Sequence, residues 1–546
     1  MPSDSSLTDF NSRALTVWWK SMGPAISLLT GGLLMGIAPV NAWPLAWVAL
    51  VPLWRLVLGD ELALRPALAG AALWGVAYHG VALSWIVWWL NPLLVMGLPW
   101  IAGVFLALFA WAFITLWGAA IGVTWLWLMR MVMRWYGARA RGNGLALWQR
   151  LLLGTALWCA VEWVWSRGPL YWTSLSYTQS PGDLWILQMG QISGPITVTA
   201  AIVIVNGLLA VAMTPSGLSS SELSSSELSS SELSFSRASK RSYVIGVVGL
   251  FVCLHLAGGW LYSRPLADTP EQSLRVGLIQ GNIPTSQKLS PEGVRTSIQA
   301  YLTGYEQLAA EGAELVITPE GAIPQRWNAF TEDRNVFVRA VANTGVPLIL
   351  GSFAHREIAD TRSPLTQSLL TLTAAGQIES RYNKVKLVPL GEYLPFAHLL
   401  DRLSPFESLA PGTFDQQLNT PFGPVAAGIC YESAFTELFR QQVKRGGQLI
   451  LTASNNDPYP PRQMMQHHAL DVMRAIESDR WEARVTNTGI SGIVDPRGRT
   501  QWLSNPDEQV THQAKIYRRQ TLTPYVRWGD WLTPTLLILA AIGLGK

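Results

Sequence analysis

Residues 426–433 read Ala-Ala-Gly-Ile-Cys-Tyr-Glu-Ser, an apolar, strand-forming run that breaks off at the thiol of Cys430. A thiol at a strand end, followed by Tyr431 and Glu432, has the setting of a nucleophile. Two reactive residues upstream share that setting. Glu320 closes Leu-Val-Ile-Thr-Pro-Glu at 315–320, and Lys384 lies within Arg-Tyr-Asn-Lys-Val-Lys-Leu-Val-Pro at 381–389. Around them, short apolar runs alternate with amphipathic segments, an α/β or α+β pattern. It predicts strands near 275–280, 314–318, 347–352, 368–372, 425–430, 448–452 and 489–494, and helices near 291–311, 330–344, 434–445 and 464–480. In layered sheets such strand ends open into the crevice where ligands bind.

The three residue types complement one another chemically. A thiol is mostly protonated at neutral pH, so a carboxylate can take its proton while an ammonium stabilises the thiolate and then the oxyanion of a tetrahedral intermediate. The Tyr431 backbone N–H is a candidate second oxyanion donor. Once protonated, the same carboxylate can return its proton to the leaving group. Each residue alone has a plainer reading, as a solvated loop charge or a packed thiol; their joint order and setting favour a site.

The half before residue 265 is of another kind. The 546-residue chain exceeds what one core usually organises. Its 49% hydrophobic and 14% charged residues, with 27 Trp, concentrate apolar character before residue 265 and after residue 530. Stretches long enough to cross about 30 Å of hydrocarbon lie near 22–40, 43–59, 66–90, 98–129, 148–166, 194–213 and 242–262. The fourth is long enough to hold a tilted helix plus a re-entrant piece, and the Ala-Pro-Val-Asn-Ala-Trp-Pro link after the first could mark a broken hairpin. Arg13 and Lys20, Arg55 and Arg65, Arg130 through Arg150, and Arg237 through Arg241 alternate as seven spans require, all on one side, and basic residues accumulate in cytoplasmic loops. The polar half is therefore expected on the extracytoplasmic face, with 531–544 returning the chain. This divides the chain into a cytoplasmic N-terminus at 1–21, a membrane domain at 22–265 and a C-terminal span at 531–546.

Residues 219–233 are three copies of Ser-Ser-Ser-Glu-Leu. The segment 214–241 is expected to be a disordered cytoplasmic linker, because it has too little apolar surface to bury. The N-terminus is polar and acidic, so the first apolar segment is expected to stay as an anchor. A net charge of +4, with no basic stripe, argues against nucleic acid. Of three cysteines, Cys159 and Cys253 fall in apolar segments, which excludes a disulfide framework and a zinc pattern. His467 and His468 point about 100° apart on a helix and cannot share a metal in the i, i+4 manner. They are expected to pack or cap. No metal or cofactor is expected. Glu162 is the one carboxylate well inside a span. It either marks a functional site or pairs with Arg167 to anchor residues 167–172. His79 is expected to be hydrogen-bonded in the bundle.

Gly-Asn-Ile-Pro at 281–284, Pro-Glu at 319–320, Tyr-Asn-Lys at 382–384, Val-Pro-Leu-Gly-Glu-Tyr-Leu-Pro at 388–395, Ile-Cys-Tyr-Glu at 429–432 and Val-Thr-Asn-Thr-Gly-Ile-Ser at 485–491 resemble those of the apolipoprotein N-acyltransferases, the membrane-bound branch of the carbon–nitrogen hydrolase (nitrilase) superfamily. Glu162-Trp163, Arg167-Gly168 and the seven-plus-one span arrangement extend the resemblance over nearly the whole chain. It implies an αββα sandwich at 272–520, with Glu320 as base and acid, Lys384 as oxyanion stabiliser and Cys430 as acylated nucleophile, supported by Glu392, Tyr431 and Glu432. It also implies acyl transfer from a phospholipid donor to a diacylglyceryl apolipoprotein acceptor, at the bacterial inner membrane with the catalytic domain facing the periplasm. Leu289 departs from the family, standing where an aromatic often follows the lysine, here Lys288. The Ser-rich repeats are an insertion. Segments 387–410 and 458–465 either guide acyl chains or pack as ordinary loops. The rivals are a membrane-tethered amidase acting on small amides and a non-catalytic scaffold or transporter-like protein.

Overall fold

The computed structural model describes residues 23–59, 62–89, 99–139, 145–213, 230–327, 335–356, 363–389, 391–393, 408–457 and 459–545. The expectations for the N-terminus at 1–21, for the Ser-rich linker up to residue 229 and for residues 390 and 394–407 of the 387–410 segment lie outside the described residues.

The membrane half is built of apolar helices. Trp100–Arg139, Pro195–Met213 and Ser242–Ser263 are each long and apolar enough to cross a bilayer, and Gly23–Ile37, Trp43–Leu58 and Leu532–Gly545 are shorter apolar helices. Leu64–Ala82 and Leu147–Trp165 pack among them. Four details depart from the sequence-based expectation. The third span ends at Ala82, and Trp85–Trp89 forms a separate short helix. Trp100–Arg139 is a single unbroken helix of 40 residues, about 60 Å long or twice the hydrocarbon thickness. Pro99 precedes it and no proline interrupts it, so no re-entrant piece forms. The segment expected to be a linker is helical from Ser230, because Ser230–Ser263 runs on as one helix; extending an existing helix costs far less than nucleating one. The second span, in contrast, is broken into Trp43–Leu45, Ala46–Ala49 and Val51–Leu58, with Pro52 at the break.

Backbone groups freed by that break find side chains. Ala49 O accepts from Trp74 Nε1 at 2.9 Å and Leu50 N–H donates to Asn206 Oδ1 at 3.0 Å, so these two groups are not left bare in an apolar layer. Helices Leu64–Ala82 and Trp100–Arg139 approach closely through small residues: a Cβ on Gly75 would lie 2.7 Å from Ala119 Cα.

The polar half folds as two packed sheets. One holds β1 (Ser273–Gln280), β2 (Leu315–Ile317), β3 (Ile323–Trp327), β4 (Leu348–His355), β5 (Leu365–Leu372), β6 (Ile378–Asn383) and β13 (Val510–Tyr517), ordered β13-β1-β2-β4-β5-β6 with β3 also on β4. The other holds β7 (Leu418–Thr420), β8 (Gly423–Ile429), β9 (Ile450–Ser454), β10 (Glu482–Thr486), β11 (Gly492–Val494) and β12 (Thr500–Leu503), ordered β12-β11-β10-β9-β8-β7. The pleat sorts the side chains. Leu315, Ile317 and Ile349 join the core shared with the second sheet, whereas Val316, Leu348 and Leu350 face Tyr301, Tyr305 and Phe337 of the helices Pro291–Ala310 and Val336–Thr344. Helices Thr436–Lys444 and Pro461–Ser478 pack on the second sheet, which completes an αββα sandwich.

The two halves share one core. Helix Pro461–Ser478 is the hub: Gln466 Oε1 accepts from both Trp85 Nε1 (3.2 Å) and Trp172 Nε1 (3.0 Å), while its Nε2 donates to Ala82 O at 3.0 Å. Ser180 Oγ donates to Ala469 O at 2.6 Å. The sandwich therefore cannot tilt on the membrane helices without breaking buried hydrogen bonds.

Candidate active site

Each expected residue sits where a strand ends. Cys430 follows β8 directly and opens a one-turn 3₁₀ helix, Cys430–Ala434. Its φ is +53°, a left-handed conformation that costs a side-chain-bearing residue about 1–2 kcal/mol, and this sharp turn lifts the thiol off the sheet. Glu320 lies in the turn after β2, and Gly351 of β4 leaves room for it: a Cβ there would sit 1.9 Å from Pro319 O. Lys384 follows β6, its N–H held by Gln367 O at 2.9 Å.

The structure brings these residues together. The fully buried Lys384 ammonium donates to Glu320 Oε1 at 2.9 Å and Glu392 Oε1 at 2.6 Å. Glu320 Oε2 accepts the Asn455 backbone N–H at 3.0 Å, and Glu392 Oε2 accepts that of Val388 at 2.8 Å. Burial opposes the charge on Lys384, but the two carboxylates outweigh it and hold the ammonium well above its ordinary range. Burial also raises Glu392, with Lys384 pulling against it. The Cys430 thiol is pushed up to about 12, first by burial and then by the charge on Glu320, while Lys384 draws it down. At neutral pH the group is a neutral thiol, which can serve as a nucleophile only where a base takes its proton.

Two supporting residues do different work. Glu432 is a buried clamp: Oε1 accepts Val385 N–H (2.6 Å) and Lys386 N–H (3.0 Å), and Oε2 accepts Ile429 N–H (2.7 Å) and Tyr382 O–H (2.9 Å). It ties the loop carrying Lys384 to the strand carrying Cys430. Burial lifts its carboxyl to about 7 against those N–H groups. Tyr431 points the other way, into the membrane half. Its hydroxyl donates to Pro169 O (2.8 Å) and accepts Tyr171 N–H (2.9 Å), and its ring stacks on Trp172 with centroids 6.2 Å apart.

Two asparagines came without warning from the sequence. Asn455 and Asn456 follow β9; Asn455 touches Glu320 through its N–H, and Asn456 Nδ2 donates to His467 Nδ1 at 3.1 Å. His467 Nε2 lies 2.8 Å from Cys430 O, and burial holds its imidazole far below the ordinary range. His468 turns away to Thr500 Oγ1 at 2.9 Å. Their packing between polar partners agrees with the sequence expectation; the contact with the cysteine does not follow from it. Lys288, also buried, reaches Glu320 O at 3.4 Å, and burial lowers it to about 8. Leu289 next to it is 64% exposed.

Glu162 corrects an expectation. It does not pair with Arg167: it accepts from Ser174 Oγ (2.5 Å), Thr199 Oγ1 (2.8 Å) and Trp158 Nε1 (3.2 Å). Arg167 lies over the Trp163 ring, 3.5 Å from its centroid. Being at the helix end, the guanidinium reaches the interface, and neutral donors from the same helix and from the segments that follow surround the carboxylate instead. His79 Nδ1 lies 2.9 Å from Thr173 Oγ1.

Residues 275–521 match the carbon-nitrogen hydrolase family, and residues 30–208 match the apolipoprotein N-acyltransferase N-terminal domain. Three apolipoprotein N-acyltransferases are similar along their length. That of Nostoc sp. is 44% identical over 517 residues, covering 93% of this chain and 96% of the relative. Those of Synechocystis sp. and Thermosynechococcus vestitus are each 41% identical; they cover 93% and 98% of this chain and 97% of each relative.

Proposed function

The chain belongs to the apolipoprotein N-acyltransferase family, and on that premise we propose how this membrane acyltransferase works. Cys430 takes an acyl chain from a phospholipid as a thioester, then passes it to the α-amino group of the N-terminal diacylglyceryl-cysteine of an apolipoprotein. The site faces the periplasmic side of the inner membrane. The observation that carries the proposal is the Lys384 ammonium bridging Glu320 and Glu392 beside Cys430, on a turn docked by Tyr431 to the membrane half.

Glu320 removes the Sγ proton as sulfur attacks the ester carbonyl. Lys384 and the Tyr431 N–H, at the open end of its short helix, stabilise the oxyanion. The C–O bond breaks, and Glu320 gives its proton to the departing lysophospholipid oxygen. The neutral acceptor amine then attacks the thioester and loses a proton to Glu320. The C–S bond breaks, and Glu320 returns the proton to sulfur. The cycle is ping-pong. Both substrates are amphiphiles, which fits a sandwich fixed to membrane helices through buried hydrogen bonds. The run of Arg130, Arg134 and Arg139 on the far extension of the 40-residue helix fits its cytoplasmic placement.

Incubating the full-length protein with a phospholipid of defined acyl chain and weighing the Cys430 peptide tests this. A hydroxylamine-labile acyl mass, absent in Cys430→Ser and discharged by a diacylglyceryl-cysteine peptide, is expected. An unmodified Cys430 in protein that turns over a small amide would replace the proposal with an amidase.

A further inference from the structure

The carbonyl of Cys430 is held from behind. His467 Nε2 lies 2.8 Å from it, and a carbonyl can only accept, so Nε2 carries the hydrogen. The other ring nitrogen agrees: Asn456 Nδ2 donates to Nδ1 at 3.1 Å, and Asn456 cannot turn round because its Oδ1 accepts from Arg484 Nη2 at 3.0 Å. Arg484 is anchored in turn by Asp471 and by Ile490 O. The tautomer is thus set by a buried chain that ends at the cysteine's own peptide group.

That peptide group has two ends. Its oxygen belongs to Cys430 and its N–H to Tyr431, and in a planar trans unit the two point in opposite directions. Fixing the oxygen against His467 fixes the direction of the Tyr431 N–H, away from His467. A donor on the oxygen also polarises the unit and strengthens its N–H as a donor. Cys430 further holds a left-handed φ of +53°, which persists only where the surroundings enforce it.

We infer that His467 is a positioning residue for acyl transfer: through the Cys430 carbonyl it aims the Tyr431 N–H at the oxyanion. The inference rests on Cys430 being the nucleophile.

The test compares His467→Gln with His467→Asn in the full-length enzyme. A Gln amide nitrogen reaches the Nε2 position, and an Asn amide does not. Two rates are read: thioester formation from phospholipid, which passes through an oxyanion, and alkylation of Cys430 by iodoacetamide, which does not. H467N should lower kcat for thioester formation about ten- to hundredfold with KM unchanged and alkylation within about threefold. H467Q should keep acylation within about threefold of wild type. Equal rates in the two variants, or alkylation falling in step with acylation, would overturn the inference. His467→Phe, which keeps a ring against Trp172, replaces H467N if that variant does not fold. Acyl transfer that survives in Cys430→Ala would instead remove the nucleophile assignment.

Discussion

Glu432→Gln removes one oxygen from a carboxylate that serves four donors, and the geometry says what is lost. Val385 and Lys386 N–H share Oε1, while Ile429 N–H and Tyr382 O–H share Oε2. A glutamine does least harm with its oxygen toward the two loop amides and its NH₂ toward Tyr382, whose hydroxyl can rotate to accept. Ile429 N–H then faces an amide nitrogen and is orphaned in a fully buried site. An unsatisfied buried donor costs about 1–3 kcal/mol, and losing the charge weakens the two bonds that remain. The strain falls between Ile429, next to Cys430, and Val385, next to Lys384, so it is relieved by moving the thiol and the ammonium apart. A shift of about 1 Å at a reacting centre lowers rates about a hundredfold. We expect Glu432→Gln to slow thioester formation about a hundredfold at pH 8. Below pH 7, the wild-type carboxyl, lifted to about 7 by burial, takes up a proton and loses the same acceptor, so the two proteins should converge there. Single-turnover mass spectrometry of the Cys430 peptide across pH reads both effects. A variant within threefold of wild type at pH 8 would refute the clamp.

Tyr431→Phe loses the hydroxyl that meets Pro169 and Tyr171 but keeps the ring on Trp172. The phospholipid KM should rise about tenfold, for the loss of about 1–1.5 kcal/mol of net hydrogen bonding, while alkylation of Cys430 stays near wild type; an unchanged KM would mean the docking contact is idle. His468 is lowered to about 3 by burial, so the native state binds fewer protons than the unfolded state between that value and 6.5. Stability should therefore fall as pH drops below 6.5, by about 2 kcal/mol at pH 5, and His468→Gln, which can still reach Thr500, should lose less; parallel Tm-versus-pH curves would contradict this. Glu162→Gln leaves Ser174 and Thr199 free to rotate and accept from the new amide, so stability should change by about 1 kcal/mol or less with kcat retained. A collapse of kcat at unchanged Tm would give Glu162 a role in turnover.

Glu320 and Cys430 were legible because each ends a short apolar run, and a run of four to six residues can be read locally; Lys384 instead follows β6, the polar strand Ile-Glu-Ser-Arg-Tyr-Asn, and was found by the motif around it. β3, β6, β7, β10, β12 and β13 escaped notice, and for β10 and β13 the reason is burial that depends on distant partners. β10 reads Glu-Ala-Arg-Val-Thr, which looks half solvated, yet Glu482 and Arg484 are fully buried. Thr452 bonds Glu482, and Asp471 pairs with Arg484. β13, Thr-bearing and polar, is an edge strand left half-covered, so its alternation is blurred.

The same distinction explains Glu162 and His467. A buried carboxylate calls for compensation, and the nearest cation in the chain was Arg167; the compensation came instead from hydroxyls at positions 174 and 199 and an indole at 158. Neutral donors suffice when they converge, and convergence is a property of the packed chain. His467 shows the converse. On its own helix it is one of an adjacent pair with no shared direction, and only β8, β9 and β10 together bring Cys430, Asn456 and Arg484 to its ring and its partner. Candidate residues at strand ends can thus be picked out from sequence, whereas contacts that fix their geometry reach across 28 to 262 residues and become visible only once the two sheets and the membrane helices close around them.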